Sequence, residues 1–339
     1  MEILNPFEAD NAFNVADLSM AIQMLPNNYG RMRELNVFPG KGVTQRTILV
    51  EENNGVLNLL PTRPVGAPGT ENRMGKRKVR SFVIPHIPLD DVIRPEEFSG
   101  VREFGQSSAT KTLQTVMNDH LQTGRNKFGI TIEHLRMGAL KGSILDADGS
   151  ELYNLFTEFG VSENTVDFAL ATTTTNIAAK CRAVLRLVED NLKGETMSEV
   201  RCLVDATFFD AFIGHANVEK FYVNWQAAAA IAGKDPRKGF SFGGITWEEY
   251  RGQATDMDGN TRLFLASKTG RAFPMGTMDT FRTFYAPADF LETVNTVGQE
   301  IYAKQAMEKM GRWVDVHMQS NALPICARPS VLVKVYSSN

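Results

Sequence analysis

The sequence predicts an α+β fold, and three observations lead there. One run, Ser107 to Leu145, repeats apolar residues at intervals of three, four or seven, the spacing of a long helix. Shorter runs on either side of it have the alternation of strands, and local turns at Asn54-Gly55, Asp148-Gly149 and Asp258-Gly259 join several of them. Helical and strand-like runs then mix without the regular alternation of a parallel α/β sheet. Between two early strand-like runs lies "PTRPVGAPGTENRMGKRKVR", which carries Pro61, Pro64 and Pro68, Gly66, Gly69 and Gly75, and no periodicity.

A chain of 339 residues buries roughly three quarters of its unfolded surface, enough for a substantial core. The length suggests two or three structural units. Net charge is −3, so no global excess of charge points to nucleic acid or membrane. No apolar run reaches the ~20 residues that cross a bilayer. The start, "MEILNPFEAD", lacks the charged and apolar regions of an export signal, so synthesis in a cytoplasm is expected. Cys181, Cys202 and Cys326 are scattered and form no CxxC, which reads as reduced, buried thiols.

Taken in order, "NVADLSMAIQMLPNNYG" sets Val15, Leu18, Ile22 and Leu25 on one helical face before Pro26 and Gly30 stop it. A helix this short is marginal alone and must lean on another element. "GVTQRTILVEENNGVLNLL" reads as a hairpin about Asn54-Gly55. "VRSFVIPHIP" reads as a returning edge strand, because Pro85 and Pro88 donate no ladder hydrogen bonds. In the long helix Leu113, Met117, Leu121, Phe128, Ile132, Leu135 and Ala139 form the stripe. Gly124, Gly129 and Gly138 each weaken it by ~1 kcal/mol relative to Ala, and a break near Gly129 into two helices is the alternative.

"LDADGSELYNLFTEFG" follows as strand, turn and strand. "TNIAAKCRAVLRLVEDNLKG" is an amphipathic helix closed by Gly194. "VRCLV" is a buried strand, Asp205 a cap for "ATFFDAFIGH", "GITWEEYRGQATDMDGNTRLFLA" a hairpin, and "RWVDVHMQS" and "VLVKV" late strands.

The segment from Pro61 to Lys78 is longer than the ~12–15 residues that structureless connections normally reach. Flanking strands of about 12 residues would carry its tip roughly 40 Å outward, whereas a compact chain of this length has a radius of gyration of only ~20 Å. Its end is basic: Arg73, Lys76, Arg77, Lys78 and Arg80. Such a cluster suits phosphate, a solvated loop, or acidic residues of a second copy. Phe82 is the one aromatic nearby, so a base-stacking platform is missing. Reach, edge strand and charge together favour an arm lying on a neighbouring copy, with Arg73, Lys76, Arg77, Lys78, Arg80, Phe82 and Ile84 as its contact residues.

Catalytic motifs are thin. The two Asp-x-Asp-Gly runs lack the later ligands of a calcium loop and read as turns. The five histidines form no close pair, so no metal site is expected. "GKGVT" lacks the full phosphate-cradling pattern, and no cofactor is expected. One enzyme-like set does appear: Ser108 and Lys111 in S-x-x-K, Ser162 and Asn164 in "SEN", and Lys268–Gly270 as "KTG", in the order of serine acyl-transfer enzymes of β-lactamase type. Those enzymes are exported, Ser108 sits in a polar helix start, and "SKTG" reads as a loop. This remains the minor alternative.

Longer segments carry a family likeness: "LPNNYGRMRELNVFPGKGVTQRTILVEENNGVLNLLP", "VIPHIPLDDVIRPEEFSGVREFG", "ITIEHLRMGALKGSILDADG", "FFDAFIGHANVE", "YAPADFLETVNTVGQEIYAKQ" and "QSNALPICARPSVLVKV". In this order and spacing they resemble the major capsid proteins of lambda-type tailed phages, the major capsid protein E family. The resemblance implies the α+β capsid fold of the Hong Kong 97 type and a structural, non-enzymatic role. It places an N-terminal arm at 1–44, the extended loop at 45–98, and the spine helix with peripheral domain at 99–165. An axial domain at 166–285 and a return to the peripheral domain with closing strands at 286–339 complete it. It further implies pentamers and hexamers in an icosahedral head shell around packaged double-stranded DNA. A separate scaffold, a portal and a decoration protein are the implied partners, and the virion is the implied location. Covalent crosslinking through Lys76 or Lys78 is not expected, since no partner Asn stands out.

Overall fold

The computed structural model describes residues 18–20, 22, 30–52, 78–97, 113–233, 235–256 and 258–339. Five helices carry labels here: α1 Leu113–Lys141, α2 Leu155–Phe159, α3 Ile177–Leu192, α4 Ala206–Ile213 and α5 Glu219–Ile231. The chain divides into two compact units. One gathers residues 1–48, 82–133 and 283–324, the other 49–81, 134–282 and 325–339.

In the first unit, strand Val314–Ser320 lies between Tyr302–Met307 and Ile87–Ile93 in an antiparallel sheet. The N-terminal part of α1 supplies Val116, Met117, Leu121 and Phe128 to a core shared with Ile93, Ile301, Val316 and Met318. Leu18 and Ile22 of the early helical run are buried in the same core, and Ser19 Oγ accepts from Ala303 N at 3.0 Å. That is the support a short helix requires.

Gly124 explains itself by contact: a Cβ there would stand 2.4 Å from Met318 Sδ. The weak helix former is a packing site. Helix α1 runs unbroken through all three glycines, so it does not split at Gly129. It ends at Lys141 because Gly142 turns left-handed, with φ +81°, and Ser143–Leu145 continues as a strand. The span predicted from Ser107 is therefore shorter at its C-terminal end, and residues 107–112 lie outside the described residues.

The "GKG" run is a strand. Gly40–Gly42 pairs in parallel with Thr283–Tyr285, and Val43 N donates to Tyr285 O at 2.8 Å. A Cβ on Gly42 would lie 2.4 Å from Gly298 O, and one on Gly298 only 2.0 Å from Tyr285 O. Backbone meets backbone here, so only glycine fits.

The second unit is built on a six-stranded mixed sheet in the order Asn164–Asp167, Val333–Tyr336, Thr269–Met275, Glu199–Val204, Ile245–Glu249 and Lys238–Phe242. Its first and fourth pairings are parallel, the others antiparallel. Helix α3 buries Ile177, Cys181, Val184, Val188 and Leu192, is capped by Asn176 accepting from Ala179 N at 3.0 Å, and ends through left-handed Lys193 and Gly194. Asp205 caps α4 by accepting from Thr207 N at 3.0 Å. Phe168, Phe208 and Phe212 surround Trp247, the last with ring centroids 4.3 Å apart. Trp247 Nε1 donates to Phe242 O at 3.1 Å, so the buried indole is satisfied.

The turns at Asp148-Gly149 and Asp258-Gly259 both join antiparallel pairs. Two details differ from expectation. Residues 155–159 form a helix capped by Asn154, not a continued strand. "KTG" is not in a loop: Thr269 and Gly270 open a central strand.

Two substitutions probe these cores. Gly298→Ala should lower stability by about 1–3 kcal/mol through overpacking alone, and Trp247→Ala by about 3–5 kcal/mol. Urea unfolding measures both. A neutral Gly298→Ala would refute the close approach.

Candidate inter-subunit surface

The predicted contact surface begins where strands Thr47–Glu52 and Lys78–Val83 pair. Ile84 N closes the pairing on Arg46 O at 2.8 Å. The returning run does not continue as one strand. Ile84, Pro85 and His86 interrupt it, and Ile87–Ile93 joins the sheet of the first unit at an edge. The proline that marked it as an edge strand also cuts it in two.

The predicted site residues scatter. Arg73, Lys76 and Arg77 lie outside the described residues, as does the side chain of Lys78. Arg80 places its guanidinium 4.8 Å above the Phe159 ring of its own chain. Phe82 and Ile84 are each 1 % exposed, turned into their own subunit. The alternation of a strand puts the opposite face in water: Val79 and Val83 are more than half exposed, and so is Leu49 on the paired strand. The period of two in "VRSFVI" separates these two faces, and the core takes the one with Phe82 and Ile84, so these two are not on the outer surface expected of them.

Other apolar side chains stand in water without a sequence motif to announce them. Helix α5 exposes Phe221, Val223 and Ile231, the last at 90 %. Its sequence, "EKFYVNWQAAAAI", carries charge only at its first two positions, which is the signal available beforehand. In the first unit, Leu291, Val294 and Val297 are exposed around the turn Leu291–Thr293.

The root of the return strand is held by histidines. His120 of α1 sits between two acids of the first unit: Nδ1 faces Asp91 Oδ2 at 2.6 Å and Nε2 faces Glu97 Oε2 at 2.7 Å. Only the doubly protonated ring donates to both. Burial alone would lower its pKa, but the hydrogen bonds of Asp91 and Glu97 outweigh this and hold it above the ordinary value. Burial would raise Glu97, yet the Arg94 amide and His120 leave it lowered. His317 on the middle strand bonds Asp90 next along the return strand.

Among the described residues the members of the enzyme-like set make fold contacts. Asn164 Nδ2 donates to Ser330 O at 2.6 Å, and Lys268 N donates to Asp205 Oδ2 at 3.2 Å, both ordinary fold contacts. Ser108 and Lys111 lie outside the described residues. All three cysteines are buried, which pushes Cys181 and Cys326 up to about 12 and Cys202 well above its usual value, so none is a thiolate at neutral pH. Among the described residues no three His, Cys, Asp or Glu side chains converge as metal ligands, and no helix is long and apolar enough to cross a membrane.

Comparison with solved structures defines the class first. The fold matches a putative capsid protein of a prophage in E. coli CFT073 (TM-score 0.61, 14 % identity, 96 % of this chain and 99 % of that one). It also matches the capsid of Cyanophage P-SCSP1u (TM-score 0.53, 11 % identity, 93 % and 90 %). This is the tailed-phage capsid fold of the Hong Kong 97 type.

Sequence narrows it further. The profile of the family described as Phage major capsid protein E matches residues 14–337, and the chain belongs to that family. It is 29 % identical to the major capsid protein of Pseudomonas phage KPP10 over 343 residues, covering 96 % of this chain and 97 % of that one. Against the major capsid protein of Salmonella phage Felix O1 it is 29 % identical over 353 residues, covering 95 % and 96 %. The protein is a shell-forming structural component of a tailed-phage particle, not an enzyme.

The His120 clasp gives a pH prediction. The raised histidine stabilises fully below its unfolded pKa of 6.5 and loses that contribution as pH rises through the higher folded value. Lowered Glu97 contributes above its unfolded 4.5 and loses this as pH falls through the lower folded value. The clasp is therefore complete between about pH 4.5 and 6.5. Urea unfolding across pH 5.5 to 9 should show a decline that His120→Gln flattens; parallel curves for the two proteins would refute the clasp.

Proposed function

We propose that copies of this chain, made in the bacterial host cytoplasm, join into pentamers and hexamers that close as an icosahedral head shell around packaged double-stranded DNA. Rings arise from heterologous contacts whose rotation closes. The observation that carries the reading is the set of large apolar side chains left in water on both units, although each unit has its own buried core. Residues 1–44 act as an N-terminal arm and 45–98 as the extended loop. Residues 99–165 form spine and peripheral domain, 166–285 the axial domain, and 286–339 the return.

Within the loop the contact face is the outward set Leu49, Val79 and Val83 together with the basic Arg73, Lys76, Arg77 and Lys78. Arg80, Phe82 and Ile84 brace that face from their own chain. A separate scaffold, a portal and a decoration protein complete the assembly. The net acidic chain supports an inner wall that does not hold DNA by charge.

The test is co-expression with a scaffold followed by negative-stain microscopy. Reversing Lys76, Arg77 and Lys78 to Glu should abolish closed shells while circular dichroism shows a folded subunit. Normal shells from the triple variant would remove the loop from the contact.

A further inference from the structure

None of the predicted contact residues is among the residues that line a cavity beside α2. In the second unit, this cavity of about 290 Å³ opens at the C-terminal end of α1. Lys141, Ser143, Leu145, Asn154, Phe156, Glu163 and Arg271 line it. We propose that this cavity is an oxyanion-binding pocket, taking a phosphate or carboxylate group between Lys141 and Arg271.

The lining charge is unbalanced. Arg271, on the central strand Thr269–Met275 and nearly buried, bonds Glu163 through Nη1. Its other guanidinium nitrogens have no partner among the described residues. The Lys141 ammonium has no hydrogen-bond or ion-pair partner among the described residues. Two cations thus line one cavity with a single lining carboxylate, already engaged by Arg271, while a second carboxylate, Glu151, is exposed and bonded by the lining residues Ser143 and Asn154. Burial, and then Arg271, lower the pKa of Lys141, so the ammonium stands where a counter-charge would relieve it.

The remaining walls fit the same ligand. Ser143 carries a hydroxyl donor, at present given to Glu151 Oε2 at 2.8 Å. Glu151 is solvent-exposed at the rim, where Asn154 also reaches it at 3.4 Å. Leu145 and Phe156 supply the apolar part of the wall. An oxyanion in this place meets a point charge on one side and free fork donors on the other, the pairing that phosphates and carboxylates favour. The helix C-terminus offers Lys141 a partial negative charge as an alternative role, and that role needs no ligand.

Thermal unfolding of the full-length chain, titrated with inorganic phosphate at ionic strength held constant by sodium chloride, separates the two. Mass action predicts a rise in midpoint on the order of 3 °C for the native chain. Lys141→Met should abolish the rise and Lys141→Arg should retain it. An equal rise in Lys141→Met, or no rise in the native chain, overturns the proposal.

A second readout avoids unfolding. Acylation of Lys141, followed by peptide mass spectrometry, should slow as phosphate is added and the amine holds its proton more tightly. An unchanged rate also overturns the pocket. Comparing dissociated subunits with assembled shells assigns the source. If Lys141 is protected in shells without added phosphate, a carboxylate of a neighbouring copy fills the site; if protection requires phosphate in both, the ligand is a free ion. Because the titration needs no assembly, its failure leaves the shell-forming role untouched.

Discussion

Backbone approach at glycine governs how closely this chain packs. Gly124 admits the thioether of Met318 against α1, a Cβ on Gly138 would stand 3.0 Å from Ile144 Cα, and Gly42 and Gly298 bring two backbone segments into direct contact. Each glycine costs local stability, about 1 kcal/mol in a helix interior. Each recovers it through dispersion contacts that a methyl group would displace. The consequence for α1 is visible along its length. Its N-terminal part buries one stripe, whereas residues 135–140 are buried on every side. A helix enclosed in this way has little freedom to slide, so the strand and turn that follow it at Ser143–Asn154 are set in fixed register.

That packing also explains what the sequence disclosed. Helix α3 was legible, because its apolar period and its Gly194 ending are local signals. The Asp-Gly turns and the Asp205 cap were legible for the same reason. Gly124 of α1 misled. Local propensity marks it as a weak point, and only the distant partner Met318 reveals it as a contact. The six-stranded sheet was out of reach, since it seats residues 333–336 between strands that begin at 164 and 269. Parallel pairings of that separation leave no local trace. The first unit is likewise assembled from three distant stretches of chain.

The proposed contact surface shows the same division. Basic charge at Arg73 to Arg80 and the chain length of the loop are explicit in the sequence. Which side of a strand faces water is not explicit when both sides are apolar, as with Val79, Val83, Phe82 and Ile84. Alternation separates two faces but does not say which one the core will take. The decision comes from tertiary partners: Ile84 is tied to Arg46, and Arg80 lies over Phe159.

A shell protein meets two opposed demands, and the exposed residues show how this chain reconciles them. The subunit must stay dissolved before assembly, which limits any single apolar patch. The shell must then hold, which requires apolar surface to bury. Here exposed apolar side chains stand on the loop strands, on α5 and around the Leu291–Thr293 turn, and others, such as Leu263, Met278 and Met310, lie elsewhere. Charged residues sit among them: Glu219 and Lys220 open α5, and Lys304 is clamped by Glu292 at 2.8 and 3.0 Å beside the turn. Each site alone offers a few kcal/mol at most, less than the entropic cost of joining two free molecules. In the proposed assembly pairwise sticking is therefore weak, while a closed ring that engages several sites on every copy gains them together. Under that proposal assembly is cooperative because no one contact suffices.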